Sequence, residues 1–311
     1  MNQLPEKDLP PGRHRLLKEH LMTEIRQEEK KPVRRPWLRP ALVAGAVAAV
    51  TAVTLTFAVP SHDDPFVPPV VHPSPGVTQV LEDAALAAEH QDVPKVRDDQ
   101  FTYIKSKVAW GISERTCKIA TAGPLQTREN WKSVDGRREG LLRDTGVGTL
   151  PIQPDPDSED VYRSWENLPT DPDKMLAWLY EHKGGEGHSD AYFAFKEATG
   201  LVLESILPPK VSAALYRAVA KIPGVVLVKD SVDAVGRHGT AVGFVDEKGA
   251  NRQELIFNSK TWLPLGIRDV VLKDAKTNPG EVCNGVIKAG SVQATTAVLE
   301  RAVVDKKGER P

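Results

Sequence analysis

The most constraining feature is a run of nineteen residues, Ala41 to Val59, with no charge in it and a proline on either side, Pro40 and Pro60. Seven Ala, five Val, three Thr, two Leu, one Gly and one Phe make it up. As a helix it spans roughly 28 Å, close to the hydrocarbon thickness of a bilayer. A buried helix of a soluble domain is the alternative, but the flanks favour the membrane. Lys30, Lys31, Arg34, Arg35 and Arg39 precede the run, and Ser61, His62, Asp63 and Asp64 follow it. Positive charge stays cytoplasmic, so the N-terminus is expected inside and the rest of the chain outside.

Two export signals compete with this reading. The leading region is far longer than a usual signal-peptide n-region, and Phe57-Ala58-Val59-Pro60-Ser61 offers no small-x-small cleavage site. Arg34-Arg35 loosely matches a twin-arginine signal, yet paired arginines before an apolar run are equally the mark of an uncleaved anchor. The expected layout is therefore a cytoplasmic tail (1–40), a transmembrane helix (41–59), a stalk (60–77) and an extracytoplasmic domain (78–308). The lipid bilayer is the first partner, through Ala41–Val59.

Charge follows the same division. The tail carries a net +4 and the rest a net −5, within a chain total of −1. That balance leaves no overall basic footprint for nucleic acid. Arg13 to Glu29 reads as one helix with Leu17, Leu21 and Ile25 on a single face. This stripe either engages a cytoplasmic partner or lies on the anionic leaflet. His14 and His20 have no cysteine near them, which argues against zinc in the tail.

Pro60, Pro65, Pro68, Pro69, Pro73 and Pro75 predict an extended polyproline stalk. Thr78 then reads as the cap of a helix running to Glu89. Strands are expected at Phe101–Ile104 and at Thr127–Val134, the latter turning at Asp135-Gly136 into Arg137–Arg143. Residues 144–171 read as loop. Thr170 or Asp171 caps a helix that begins with Pro172 and carries Met175, Leu176, Trp178 and Leu179. Helices at Ala191–Ile206 and Val211–Ile222 follow, then a meander over Val225–Val232, Thr240–Val245, Glu254–Asn258 and Leu265–Leu272. Val282–Lys288 and Val292–Val304 supply two last strands. Helices set between two runs of antiparallel strands predict an α+β domain.

No constellation of catalytic residues emerges. His188-Ser189-Asp190 names triad residue types, but consecutively in a Gly-rich loop, whereas triads assemble from distant positions. There is no Gly-x-Ser-x-Gly elbow, phosphate loop or His-Glu-x-x-His. Asp155, Asp157, Glu159 and Asp160 lack EF-hand spacing, so no metal or cofactor is expected. Cys117 and Cys283 both fall in the segment expected outside, where oxidation is permitted; they form a candidate disulfide or two separate buried thiols. Trp110, Trp131, Trp165, Trp178 and Trp262 anchor a core, or some of them line a cleft for an apolar ligand.

The order of several short motifs carries a resemblance. Gln100-Phe101-Thr102-Tyr103-Ile104, Trp131-Lys132-Ser133-Val134-Asp135-Gly136, Leu168-Pro169-Thr170-Asp171-Pro172, Leu207-Pro208-Pro209, Leu215-Tyr216-Arg217-Ala218, Ile222-Pro223-Gly224-Val225, Gly236-Arg237 and Leu255-Ile256-Phe257 follow one another. Together with Leu9 to Arg13 they resemble a family of uncharacterised actinobacterial single-pass membrane proteins, often encoded beside extracytoplasmic-function sigma factors. The resemblance implies a role in envelope signalling, with a sigma factor as the candidate cytoplasmic regulator at the tail; it brings no catalytic residues. More weakly, the alternation of strands and helices is similar to the lipoprotein-carrier half-barrel and to periplasmic regulators of anti-sigma factors built on it. The tail lacks the zinc-binding His/Cys pattern of many anti-sigma domains. The expected function is thus binding or sensing of an unidentified ligand. A lipid or lipoprotein carrier is the second reading, and an exported hydrolase the third.

Overall fold

The computed structural model describes residues 74–91, 95–113, 120–182, 184, 187–276 and 286–311. The expected tail helix, the membrane segment Ala41–Val59 and most of the stalk lie outside the described residues. Among the described residues, no helix is long and apolar enough to cross a membrane. All of them belong to one unit, Asp63–Pro311.

The sequence folds into five helices and thirteen strands among these residues. Helix α1 is Pro75–Glu89. Strands β1 (Phe101–Ala109), β2 (Gly111–Ser113), β3 (Ala120–Ala122), β4 (Gln126–Ser133), β5 (Gly140–Asp144) and β6 (Gly148–Ile152) come next. Four helices follow: α2 (Tyr162–Trp165), α3 (Pro172–Glu181), α4 (Asp190–Glu204) and α5 (Pro209–Val219). The chain then makes β7 (Val225–Val232), β8 (His238–Val245), β9 (Asn251–Phe257), β10 (Pro264–Val271), β11 (Ala275–Lys276), β12 (Val286–Ile287) and β13 (Val292–Val304).

Nine strands form one antiparallel sheet in the order β6-β5-β4-β1-β13-β10-β9-β8-β7. It consists of two meanders, β1-β4-β5-β6 and β7-β8-β9-β10-β13, zipped together where β1 pairs with β13. The sheet is open: β6 and β7 are its two edges. The α+β expectation stands, with a large antiparallel sheet that does not close. Two-stranded ribbons β2-β3 and β11-β12 project from the main sheet's connections.

Alternation along the strands divides the side chains between two faces. On one face Ile104, Val242, Phe244, Leu255, Phe257, Ile267 and Val298 meet the apolar sides of α1, α3, α4 and α5 in the largest core cluster. On the other, Phe101, Tyr103, Trp131 and Val304 form a smaller cluster, and Ala241, Ile256 and Leu265 another. The helices themselves start where the residues dictate. The Asp171 carboxylate accepts from the backbone N–H groups of Asp173 and Lys174, both at 3.0 Å, and Pro172 occupies the first helical position.

Three expectations are corrected. Helix α1 begins at Pro75, not at Thr78. The missing N–H of Pro75 costs nothing in a first turn, and Val77 and Thr78 already donate to the Ser74 carbonyl. Residues 144–171 are not all loop: β6 adds an exposed edge strand, and α2 sets Trp165 in the core. Pro151 within β6 hides the strand pattern, but proline is tolerated at a sheet edge. Asp135-Gly136 does turn the chain, with Gly136 at φ 71°, but as part of a longer loop, Val134 to Glu139, before β5. The Asp135 carboxylate holds that loop by accepting from Ser133 Oγ (2.8 Å) and the Arg137 N–H (3.0 Å).

Candidate functional site: a cleft between sheet and helices

The packing of the helices on the sheet leaves a cleft of about 640 Å³. Ala84 and Ala88 of α1 face it, as do Val202 of α4, the connection Ser205-Ile206-Leu207, and Ser212 and Tyr216 of α5. Across from them lie the β9–β10 hairpin, with Asn258, Trp262 and Leu263, and the strand residues Leu265, Val298 and Arg301. A volume of this size with mostly apolar walls and a few polar groups is the usual form of a small-molecule site.

The hairpin wall is held in an uncommon conformation. Trp262 has φ 56°, the only positive value at a non-glycine among the described residues. Such a bulky residue in the left-handed region costs on the order of 1–3 kcal/mol and persists only when its surroundings impose it. Asn258 imposes it here. Its side-chain oxygen accepts from Lys260 N (2.9 Å) and Thr261 N (3.0 Å), its carbonyl accepts from Trp262 N (2.8 Å), and its own N–H donates to the Leu263 carbonyl (2.9 Å). The Trp262 ring thereby packs against the main core while lining the cleft.

A bulge decides which charge reaches the cleft. In the β1–β13 ladder Lys105 opposes Glu300, but Ser106 opposes Val298, so Leu299 is an extra residue. Strict alternation would put Val298 and Glu300 on one face and Arg301 on the other. The bulge instead places both Val298 and Arg301 on the helix side, Arg301 directly opposite Ile104. Glu300 turns away and pairs with Lys105 at 3.0 Å.

Arg301 is thus a cation among apolar walls. One of its terminal nitrogens donates to the Val202 carbonyl in the last turn of α4. Its Nε is buried and makes no hydrogen bond. Burial pushes the guanidinium's pKa down, with the neighbouring Tyr216 acting in the opposite sense. Burial likewise pushes the Tyr216 phenol up to about 12, so it stays a neutral hydroxyl at physiological pH. The Tyr216 ring meets Phe257 edge-on at 5.5 Å.

The other cation of the cleft is already matched. Arg237 binds Asp233 at 2.6 Å and donates to the carbonyls of Leu265 and Val298. A second hollow, lined by Trp165, Trp178, His182, Glu197 and Asp160, is acidic; Asp160 there is paired with Lys132.

The residues singled out in the sequence fall as follows. The stripe Leu17, Leu21 and Ile25 and the cysteines Cys117 and Cys283 lie outside the described residues. His188-Ser189-Asp190 is the start of α4. Ser189 Oγ caps it by accepting from Tyr192 N (3.2 Å), and Glu247 holds His188 Nδ1 (3.1 Å) and Ser189 N (2.7 Å). Of the acidic run, Asp155 caps its own turn by accepting from Asp157 N, and among the described residues no group of three or more His, Cys, Asp or Glu is placed to hold a metal. Of the five tryptophans, Trp262 lines the cleft, Trp131 and Trp165 are core, Trp178 stacks on His182 at 4.3 Å, and Trp110 is exposed. The sequence reading did not single out Arg301. Its signal was a lone cation, next to Glu300, in the largely apolar end of a long strand.

No family model and no curated protein matches the chain. Among solved structures, a crystal structure of MucB is 13% identical over 76% of this chain and 61% of its own, with a TM-score of 0.24. The complex structure of Pseudomonas aeruginosa MucA/MucB gives 14% identity over 76% and 58%, with a TM-score of 0.25. A crystal structure of MucB in complex with MucA(peri) gives 14% over 74% and 56%, at 0.23. The chain therefore aligns with only about 60% of the length of the MucB chains.

Proposed function

We propose that the chain is a single-pass membrane protein whose outer α+β domain binds an apolar or amphiphilic ligand in the cleft between sheet and helices, acting by binding and not by catalysis. The cleft carries this reading: about 640 Å³ bounded by Val202, Ile206, Leu207, Trp262, Leu265 and Val298. The membrane anchor and the outward orientation rest on the uncharged run Ala41–Val59 and the basic residues before it. The link to envelope signalling rests on the sequence resemblance and on the layout of tail, span and outer domain. In this reading the tail stripe Leu17, Leu21 and Ile25 meets a cytoplasmic regulator, a sigma factor being the candidate.

The carrier reading shares the cleft and differs in fate: a carrier hands its ligand on, whereas a sensor changes the state of its tail. Brominated long-chain alcohol tests the common element. Added to the full-length chain in nanodiscs, it should quench Trp262 emission saturably, and the Trp262→Phe protein should lose that component. Quenching that is unchanged in Trp262→Phe, or that never saturates, would show that the chain does not occupy the cleft.

A further inference from the structure

Resting on the cleft reading above, we infer that the ligand is an anionic amphiphile: its head, a carboxylate or a phosphate, sits on the Arg301 guanidinium, and its hydrocarbon lies along the apolar walls. The first support is a charge inventory. Of the residues that border the cleft, Arg237, Glu300 and Arg301 carry a charge, and the Glu300 side chain lies on the other face of the sheet. Arg237 is neutralised by Asp233, and Glu300 by Lys105. Arg301 has no carboxylate partner among the described residues, so one positive charge is left over in the cleft. Arginine does not deprotonate to escape burial, so that charge requires a counter-ion or water.

The second support is the orphaned donor. A structural role for Arg301 exists, since it caps the C-terminal turn of α4 through the Val202 carbonyl. That role uses one of five N–H donors and leaves the buried Nε without an acceptor. Burying a donor without a partner is costly, and more so for a charged group. Capping alone does not account for a guanidinium here. The two terminal nitrogens, one of which also holds the Val202 carbonyl, form the planar end of the guanidinium that meets the oxygens of a carboxylate or phosphate. Tyr216 lines the same cleft and makes no side-chain hydrogen bond among the described residues, which gives the head a neutral second donor.

The third support is the bulge at Leu299. It turns Arg301 inward and Glu300 outward. A regular strand would have presented the carboxylate and repelled an anion. The walls on either side of Arg301 then set the rest of the ligand's chemistry. Val202, Ile206, Leu207, Trp262 and Val298 have no use for a small free anion but will take an alkyl chain.

The test compares three photoreactive hexadecyl probes that differ only at the head: the carboxylic acid, the phosphate monoester and the alcohol. Each carries a diazirine in its chain and is applied to the full-length protein in nanodiscs, with labelled peptides mapped by mass spectrometry. Peptides covering residues 202–207, 258–265 and 298–301 should be labelled about tenfold more by the acid, the phosphate or both than by the alcohol, the scale of one charge-assisted hydrogen-bonded pair. The ratio between the two anions identifies the head. In Arg301→Gln the preference should collapse to about one while labelling by the alcohol persists, and Arg301→Lys should restore part of it. Equal labelling by all three probes in the wild-type protein would overturn the anion assignment and leave the cleft reading standing. A preference that survives Arg301→Gln would overturn the role of Arg301. Absence of label from these peptides with every probe would overturn the cleft reading itself.

Discussion

Helix α1 forms part of the cleft wall through Ala84 and Ala88, and in the proposed topology it is the first outer element after the stalk, so its docking to α5 bears on both the cleft and the link to the tail. Arg217 forks onto it: Nη2 and Nε bind the Glu82 carboxylate at 2.7 and 2.9 Å, and Nη1 binds Glu89 at 2.6 Å. Beneath this fork Leu81 is fully buried. Arg217→Met removes the fork and keeps the stem's apolar contacts. The two carboxylates are 41% and 36% exposed, so screening holds the loss to about 1 kcal/mol even for this two-carboxylate geometry. Leu81→Ala leaves a cavity in the core and should cost about 3 kcal/mol. Packing therefore docks the helix, and the fork fixes its angle and register.

The pH dependence separates the two. The hydrogen bonds from Arg217 hold Glu82 below its ordinary value of 4.5, against the opposing effect of burial. A depressed carboxylate contributes stability above its unfolded pKa and loses it as pH falls through the folded one. Urea melts of the full chain, followed by tryptophan emission, should show the Arg217→Met deficit at pH 7, a smaller one in 0.5 M salt, and one that shrinks progressively as pH falls below 4.5. The Leu81→Ala deficit should be independent of both. A deficit for Arg217→Met that is unchanged at pH 3 would refute the electrostatic reasoning, and one larger than that of Leu81→Ala would refute the ranking.

Three further outcomes follow from the geometry. Gly266→Ala should destabilise the sheet severely, because its Cβ would lie 2.1 Å from the Thr296 carbonyl oxygen across the β10–β13 ladder; circular dichroism melts would show it, and a wild-type midpoint would contradict the pairing. Glu254 is fully buried on the face away from the helices and binds Arg252 (2.6 Å) and Ser231 Oγ (2.5 Å). Glu254→Leu should cost about 3–5 kcal/mol in denaturant melts by leaving Arg252 and Arg268, whose Nε lies 3.5 Å from the same carboxylate, uncompensated, and Glu254→Leu combined with Arg252→Met should recover part of that. Asp171→Ala should lower the unfolding midpoint through the lost cap of α3, with Asp171→Asn close to wild type in the same melts.

The fold was legible where local chemistry decides it. The Thr170-Asp171-Pro172 start, the stop at Pro223-Gly224 and the β7–β10 meander were all visible, because caps, prolines and period-two alternation act over a few residues. Strand β6 was not, since Pro151 and an exposed edge erase the alternation. The candidate site was half legible. Trp262 was picked out as a residue that core or cleft would claim. That Trp262 reaches the cleft depends on a left-handed backbone with no glycine to announce it. Arg301 was missed because its face depends on one extra residue, Leu299, and a bulge is fixed by what the partner strand β1 offers, 190 or more positions away in the chain.

Hydrogen–deuterium exchange of the full-length chain in nanodiscs, with and without hexadecanoic acid, tests the central claim most directly. Binding in the cleft should slow exchange only at residues 202–207, 258–265 and the 298–301 stretch of β13, leaving the edge strands β6 and β7 unchanged. Protection spread over the edge strands, or confined to the acidic hollow around Trp165 and Trp178, would contradict it.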